Sequence, residues 1–73
     1  MTRLAIKRKQ KGISQRELAK LIGVHYSYIG LIETKRRSPS LRVAIRISRV
    51  LDVPIEELFS DLTKELDKET VEV

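Results

Sequence analysis

The segment from Ser14 to Glu33, SQRELAKLIGVHYSYIGLIE, leaves the chain little conformational choice. Ser14 followed three residues later by Glu17 forms a capping box, in which each side chain satisfies the other residue's free amide, so a helix starts there. Leu18, Ala19 and Ile22 recur at helical spacing and face inward. Gly23 stops this helix after about two turns, because glycine accepts the left-handed conformation that ends helices. After Val24 a further helix starts near His25 or Tyr26, with Ile29 and Ile32 spaced to meet the same core. Two short helices flanking a glycine turn must pack on each other, and the rest of the chain must close the core they share.

The remaining punctuation supplies three more helices. Thr2 is placed to cap a first helix that runs to Lys11 and ends at Gly12, with Leu4 and Ile6 as its main apolar positions and Arg8 one turn beyond Leu4. After a basic loop, Thr34 to Ser38, Pro39 and Ser40 mark the start of a fourth helix that turns Leu41, Ala44, Ile45, Ile47 and Leu51 inward. Pro54 opens a short fifth helix anchored by Ile55, Leu58 and Phe59, with Glu56 and Glu57 near its positive end. Leu62 and Leu66 continue the spacing of Leu58, whereas Thr70 to Val73 alternate as an edge strand would. The expected fold is all-α: a compact five-helix domain over residues 1–60, followed by an acidic tail over residues 61–73. A chain of 73 residues buries one modest core.

Charge divides the chain in two. Residues 1–50 carry thirteen Lys and Arg against Glu17 and Glu33, a net of +11, while residues 51–73 carry Lys64 and Lys68 against eight acids, a net of −6. Lysines and arginines that merely solvate helices come mixed with acids, and here they do not, which points to a polyanion as the partner of the basic body. An enzyme is not expected. There is one histidine, no cysteine, no glycine-rich phosphate loop and no carboxylate pair in a plausible cleft. The lone histidine makes no metal site, and no cofactor is implied. Without cysteines or an apolar signal segment, a soluble protein of a reducing cytoplasm is the expectation. Membrane binding is disfavoured because no helix joins the basic residues to a large apolar face.

On the frame Gln15, Leu18, Ala19, Gly23, Val24, Ile29 and Glu33, the chain resembles the Cro/repressor-type, Xre-like helix-turn-helix regulators, and KRRSPSL and LDVPIEELF extend the likeness from about Leu4 to Phe59. Ala19 lets the two helices cross closely, and Val24 and Ile29 fill the gap between them. The resemblance implies that the third helix enters the major groove of double-stranded DNA. Tyr26, Ser27, Gly30 and Leu31, with Thr34, share the side of this helix opposite Ile29 and Ile32, which makes them the base-reading candidates. Leu31 either touches a thymine methyl group or packs on the next helix; Gly30 either admits DNA closely or is neutral. Backbone candidates are Gln15, Arg16, His25, Tyr28, Lys35, Arg36 and Arg37, with Arg3, Lys9 and Lys11 weaker. His25, where relatives place a serine, is expected to cap the helix or contact phosphate. The likeness also implies a buried ion pair between Arg8 and Glu33.

Departures from the family pattern sharpen the expectations. Lys35 and Asp52 stand where glycines are frequent, so left-handed non-glycine residues are expected at both turns. One such domain covers half an operator, which implies a homodimer on a palindromic site and a transcriptional repressor. Leu58, Leu62 and Leu66 are the candidate dimer contacts, with strand addition by Thr70 to Val73 as another route and a solvated terminus as the plain alternative. An antitoxin or similar interaction role, with the acidic tail docking a protein partner, uses the same fold and is the second functional expectation.

Overall fold

Four helices end by one device, and that device sets the shape of the molecule. The computed structural model describes residues 2–60, within which lie α1 (Arg3–Gln10), α2 (Gln15–Ile22), α3 (Tyr26–Glu33), α4 (Leu41–Leu51) and α5 (Ile55–Leu58), with no strand among the described residues. At the ends of α1 to α4 a left-handed residue turns the chain back: Gly12, Gly23, Lys35 and Asp52, with φ of 75°, 77°, 59° and 56°. The next residue then donates to a carbonyl five positions earlier: Ile13 to Arg8, Val24 to Ala19, Arg36 to Leu31 and Val53 to Ser48. This return satisfies carbonyls that a helix end leaves unpaired, and it is normally clasped by an apolar residue just after the left-handed one. Ile13, Val24 and Val53 supply that clasp by packing on the core. Arg36 does not; it is exposed, and there the chain leaves the core for a basic loop.

The helix starts are as regular. The side chains of Thr2, Ser14 and Ser40 accept the amide hydrogens of Ala5, Glu17 and Val43, and Ser14 and Glu17 complete the reciprocal box. α3 is capped by His25, whose ring accepts from Ser27. These caps matter because helices of about two turns have little stability of their own.

The core gathers Leu4, Leu18, Ile29 and Ile47 at its centre, with Ala19, Ile22, Ile32, Val43, Ala44, Leu51 and Leu58 around them. α2 packs on both α3 and α4, and α5 closes the remaining side against α4 and α1. Two expected core positions lie outside it. Ile6 is 38% exposed and Leu41 is 54% exposed, and their places are taken by Ala5 and Val43. The reason is angular: the buried stripe of α1 follows Leu4 and Arg8, from which Ile6 is turned about 160° away at roughly 100° per residue. The stripe of α4 follows Val43, Ile47 and Leu51, and Leu41 falls off it in the same way. Ile45 and Ile55, expected inward, are half-buried.

Among the described residues, Arg8 is buried although charged, 7% exposed. Its guanidinium grips Glu33 with two hydrogen bonds, Nε to Oε2 at 2.6 Å and Nη2 to Oε1 at 3.1 Å, while Nη1 donates to the Ile13 carbonyl at 2.8 Å. Gln15 donates to the same Glu33 carboxylate at 2.9 Å. Three helices thus meet at one carboxylate. Among the described residues no buried side-chain nitrogen or oxygen lacks a partner. Removing one member of such a pair strands the other charge, so Glu33→Ala should lower the unfolding free energy by about 3–5 kcal/mol. Urea unfolding followed by circular dichroism measures this, and a loss under about 1 kcal/mol would show that the pair is not needed to hold the helices.

Candidate nucleic-acid interface

α3 buries Ile29 and Ile32 and turns Tyr26 and Ser27 to solvent, with Gly30 and Leu31 half-buried between the two sides. The outward face is therefore short and nearly free of long polar side chains. Gly30 sits mid-helix, where a Cβ would meet nothing within 4 Å. No internal packing requires glycine at that place, although it costs a helix roughly 1 kcal/mol relative to alanine.

At its first turn α3 carries a set of interlocked side chains. The Arg16 guanidinium of α2 lies over the Tyr26 ring, 4.3 Å from its centroid, and Tyr26 in turn stacks on His25 at 4.5 Å. His25 Nδ1 receives the Ser27 amide at 3.1 Å and lies 2.8 Å from Ser27 Oγ. A cation over an aromatic face is attracted by the ring quadrupole, so Arg16 holds Tyr26 in place while adding positive charge beside it. No short-range signal in the sequence marks this stack, because its members come from both sides of the glycine turn.

The flanks of α3 differ in kind. The N-terminus of α2, opening at Gln15 and Arg16, presents amide hydrogens and the positive end of the helix dipole, a setting suited to a phosphate. The Gln15 side chain points to Glu33, so it braces α3. On the other side, Lys35, Arg36 and Arg37 are all exposed. The Leu31 carbonyl fixes their loop by accepting the amides of Arg36 and Arg37 at 2.9 and 3.3 Å. Tyr28, a backbone candidate by sequence, is half-buried against the core; its hydroxyl accepts the Ser40 amide at 3.4 Å and Arg37 rests on its ring at 5.1 Å. Tyr28 thus packs on the core and supports the basic loop at the same time.

Several basic residues are engaged elsewhere. Lys11 donates to the Leu51 carbonyl at 3.4 Å and Arg46 to the Ile22 carbonyl at 3.1 Å, each at the negative end of a helix. Lys7 pairs with Glu57 at 3.4 Å between α1 and α5. The sequence gives no local sign of these partners, which lie 24 to 50 residues away. Arg3 and Lys9 are exposed on α1. Of the dimer candidates, Leu58 is buried in the domain's own core, 6% exposed, because α5 uses it to close against α1 and α4. It is not available to pair across a symmetry axis. Leu62 and Leu66, like Thr70 to Val73, lie outside the described residues.

Comparison with known proteins agrees with this layout. A family model described as helix-turn-helix matches residues 4–58. An uncharacterized HTH-type transcriptional regulator of Archaeoglobus fulgidus is 43% identical over 58 residues, 80% of this chain and 83% of the relative. The control protein C.SmaI of Serratia marcescens is 32% identical over 53 residues, 73% of this chain and 63% of that protein. Among solved structures, the restriction-modification controller protein C.AhdI of Aeromonas hydrophila superposes with a TM-score of 0.72 at 40% identity, covering 78% of this chain and 86% of the other.

Lys35 combines an exposed charge with an unfavourable backbone. A left-handed non-glycine residue costs about 1–2 kcal/mol, part of which glycine loses again through the unfolded chain. Lys35→Gly should therefore stabilise the domain by about 0.5–1 kcal/mol, seen as a higher thermal midpoint. A lower midpoint would mean that the Lys35 side chain itself holds the loop.

Proposed function

The chain belongs to the helix-turn-helix family of DNA-binding transcriptional regulators, and from that premise we propose that it is a repressor acting as a homodimer on a palindromic operator. The observation that carries this reading is the exposed face of α3 between two phosphate-suited flanks, the N-terminus of α2 and the loop Lys35–Arg37. In the proposed complex Tyr26, Ser27, Gly30 and Leu31 meet base edges, while Gln15, Arg16 and the loop fix the domain on the backbone. A two-fold dimer places two α3 helices in successive major grooves, about 34 Å apart. Ile55 on α5 and Phe59 just after it are half-buried, and these two residues with the acidic tail, residues 61–73, are the proposed contact between protomers. Residues 1–60 then form the DNA-binding domain, working in the cytoplasm without a cofactor.

Repression follows from occupancy: a dimer seated on an operator that overlaps a promoter excludes polymerase. The level of the protein, a partner or proteolysis then sets the occupancy.

Mixing the chain with duplexes from the region upstream of its own gene, over a range of salt, tests the reading. Sequence-selective binding is expected, with affinity falling steeply as salt rises because each neutralised phosphate releases counterions. Binding that ignores both sequence and salt would contradict it. Gly30→Ala separates DNA approach from helix propensity. It should stabilise the free domain by roughly 1 kcal/mol, since nothing obstructs the added methyl group. If α3 lies against the groove at that residue, it should weaken operator binding at least tenfold. Unchanged affinity would place the DNA elsewhere on the domain.

A further inference from the structure

We infer that Ser27 reads a base as a hydrogen-bond acceptor, so that the base it selects in each half-site is one offering an exocyclic amine, adenine or cytosine. The inference rests on the DNA-reading role proposed above, and it deepens that role by fixing the polarity of one contact.

A backbone N–H can only donate, and the Ser27 amide points at His25 Nδ1 from 3.1 Å. To accept that hydrogen the nitrogen carries a lone pair, which in the neutral ring puts the proton on Nε2. Ser27 Oγ lies 2.8 Å from the same nitrogen. Two lone pairs at that distance repel, so the hydroxyl hydrogen lies between them, and Ser27 donates to His25 with its side chain as well as its amide. A free serine hydroxyl can donate or accept. This one has already placed its hydrogen, and what it turns outward from an exposed position at the start of α3 is lone pairs.

The ring that enforces this is itself held. Tyr26 stacks on His25, and Arg16 lies over Tyr26, so rotation of the imidazole away from Ser27 would break the stack as well as the helix cap. Major-groove edges then divide cleanly. Adenine N6 and cytosine N4 carry hydrogens to donate, whereas guanine N7 and O6 and thymine O4 only accept. The first pair complements Ser27 as built, and the second confronts lone pair with lone pair.

Two measurements on the 73-residue chain test this. Long-range ¹⁵N–¹H correlation spectra of His25 in the absence of DNA should show a protonated Nε2 and a bare Nδ1; a proton on Nδ1 overturns the inference. Selection from a random duplex pool should then yield a half-site with one position restricted to adenine or cytosine that depends on Ser27. Ser27→Ala should flatten the preference at that position by on the order of three- to tenfold, the value of one hydrogen bond, and leave the others intact. His25→Asn keeps an acceptor at the cap and should keep the preference, while His25→Ala frees the hydroxyl and should lose it. A Ser27-dependent position that selects guanine or thymine, or a profile that Ser27→Ala leaves unchanged, overturns the inference while leaving DNA binding standing. Failure of the wild-type chain to select any sequence overturns the DNA-reading role itself, whatever the ring spectra show.

Discussion

Glu33 ends α3 with a negative charge at the negative end of a helix that has no basic residue in its last turn. Alone, that placement is unfavourable. It is made favourable by Arg8 from α1 and Gln15 from α2, which converge on the same carboxylate in a setting where the Arg8 and Glu33 side chains are only 8% and 7% exposed. The carboxylate therefore exists in its buried place only when three helices are correctly arranged. Arg8 also holds the Ile13 carbonyl, so the turn between α1 and α2 is fixed by the same guanidinium. Geometry at the outward side of α3 inherits its precision from this inward network.

Much of this was legible in the residues because the decisive signals are local. Ser14 with Glu17, Ser40, Thr2, Gly12 and Gly23 each state where a helix begins or ends through a bond to a neighbour a few positions away. The left-handed turns at Lys35 and Asp52 were readable only against a family pattern that favours glycine there, since neither residue announces the conformation itself. What the sequence did not disclose lies between distant segments. Arg46 on the end of α2 and Lys11 on the end of α4 look like free cations until the fold brings those carbonyls to them. Ile6 and Leu41 look like core residues because they are apolar, but helix angle decides burial and turns both outward.

The outward face of α3 follows the same division. That Tyr26 and Ser27 are exposed follows from the burial of Ile29 and Ile32 at helical spacing. That Arg16, Tyr26, His25 and Ser27 form one interlocked tip does not, because it depends on the angle at which α2 and α3 cross. Tyr28, an aromatic residue beside basic ones, is a backbone candidate by sequence, and the fold adds that it is half-buried and supports their loop. A short helix with few long side chains gains rigidity by such locking, and rigid contacts lose less entropy on binding.

The proposed complex places DNA on the outer face of α3, between the start of α2 and the loop Lys35–Arg37. Titrating ¹⁵N-labelled chain with a duplex it selects, and following the backbone amides, addresses it most directly. Large shifts should cluster at Gln15 and Arg16, from His25 to Leu31, and from Lys35 to Arg37, with Arg42 and Arg49, exposed on α4, little affected. Shifts centred on α4, with α3 unmoved, would contradict the account.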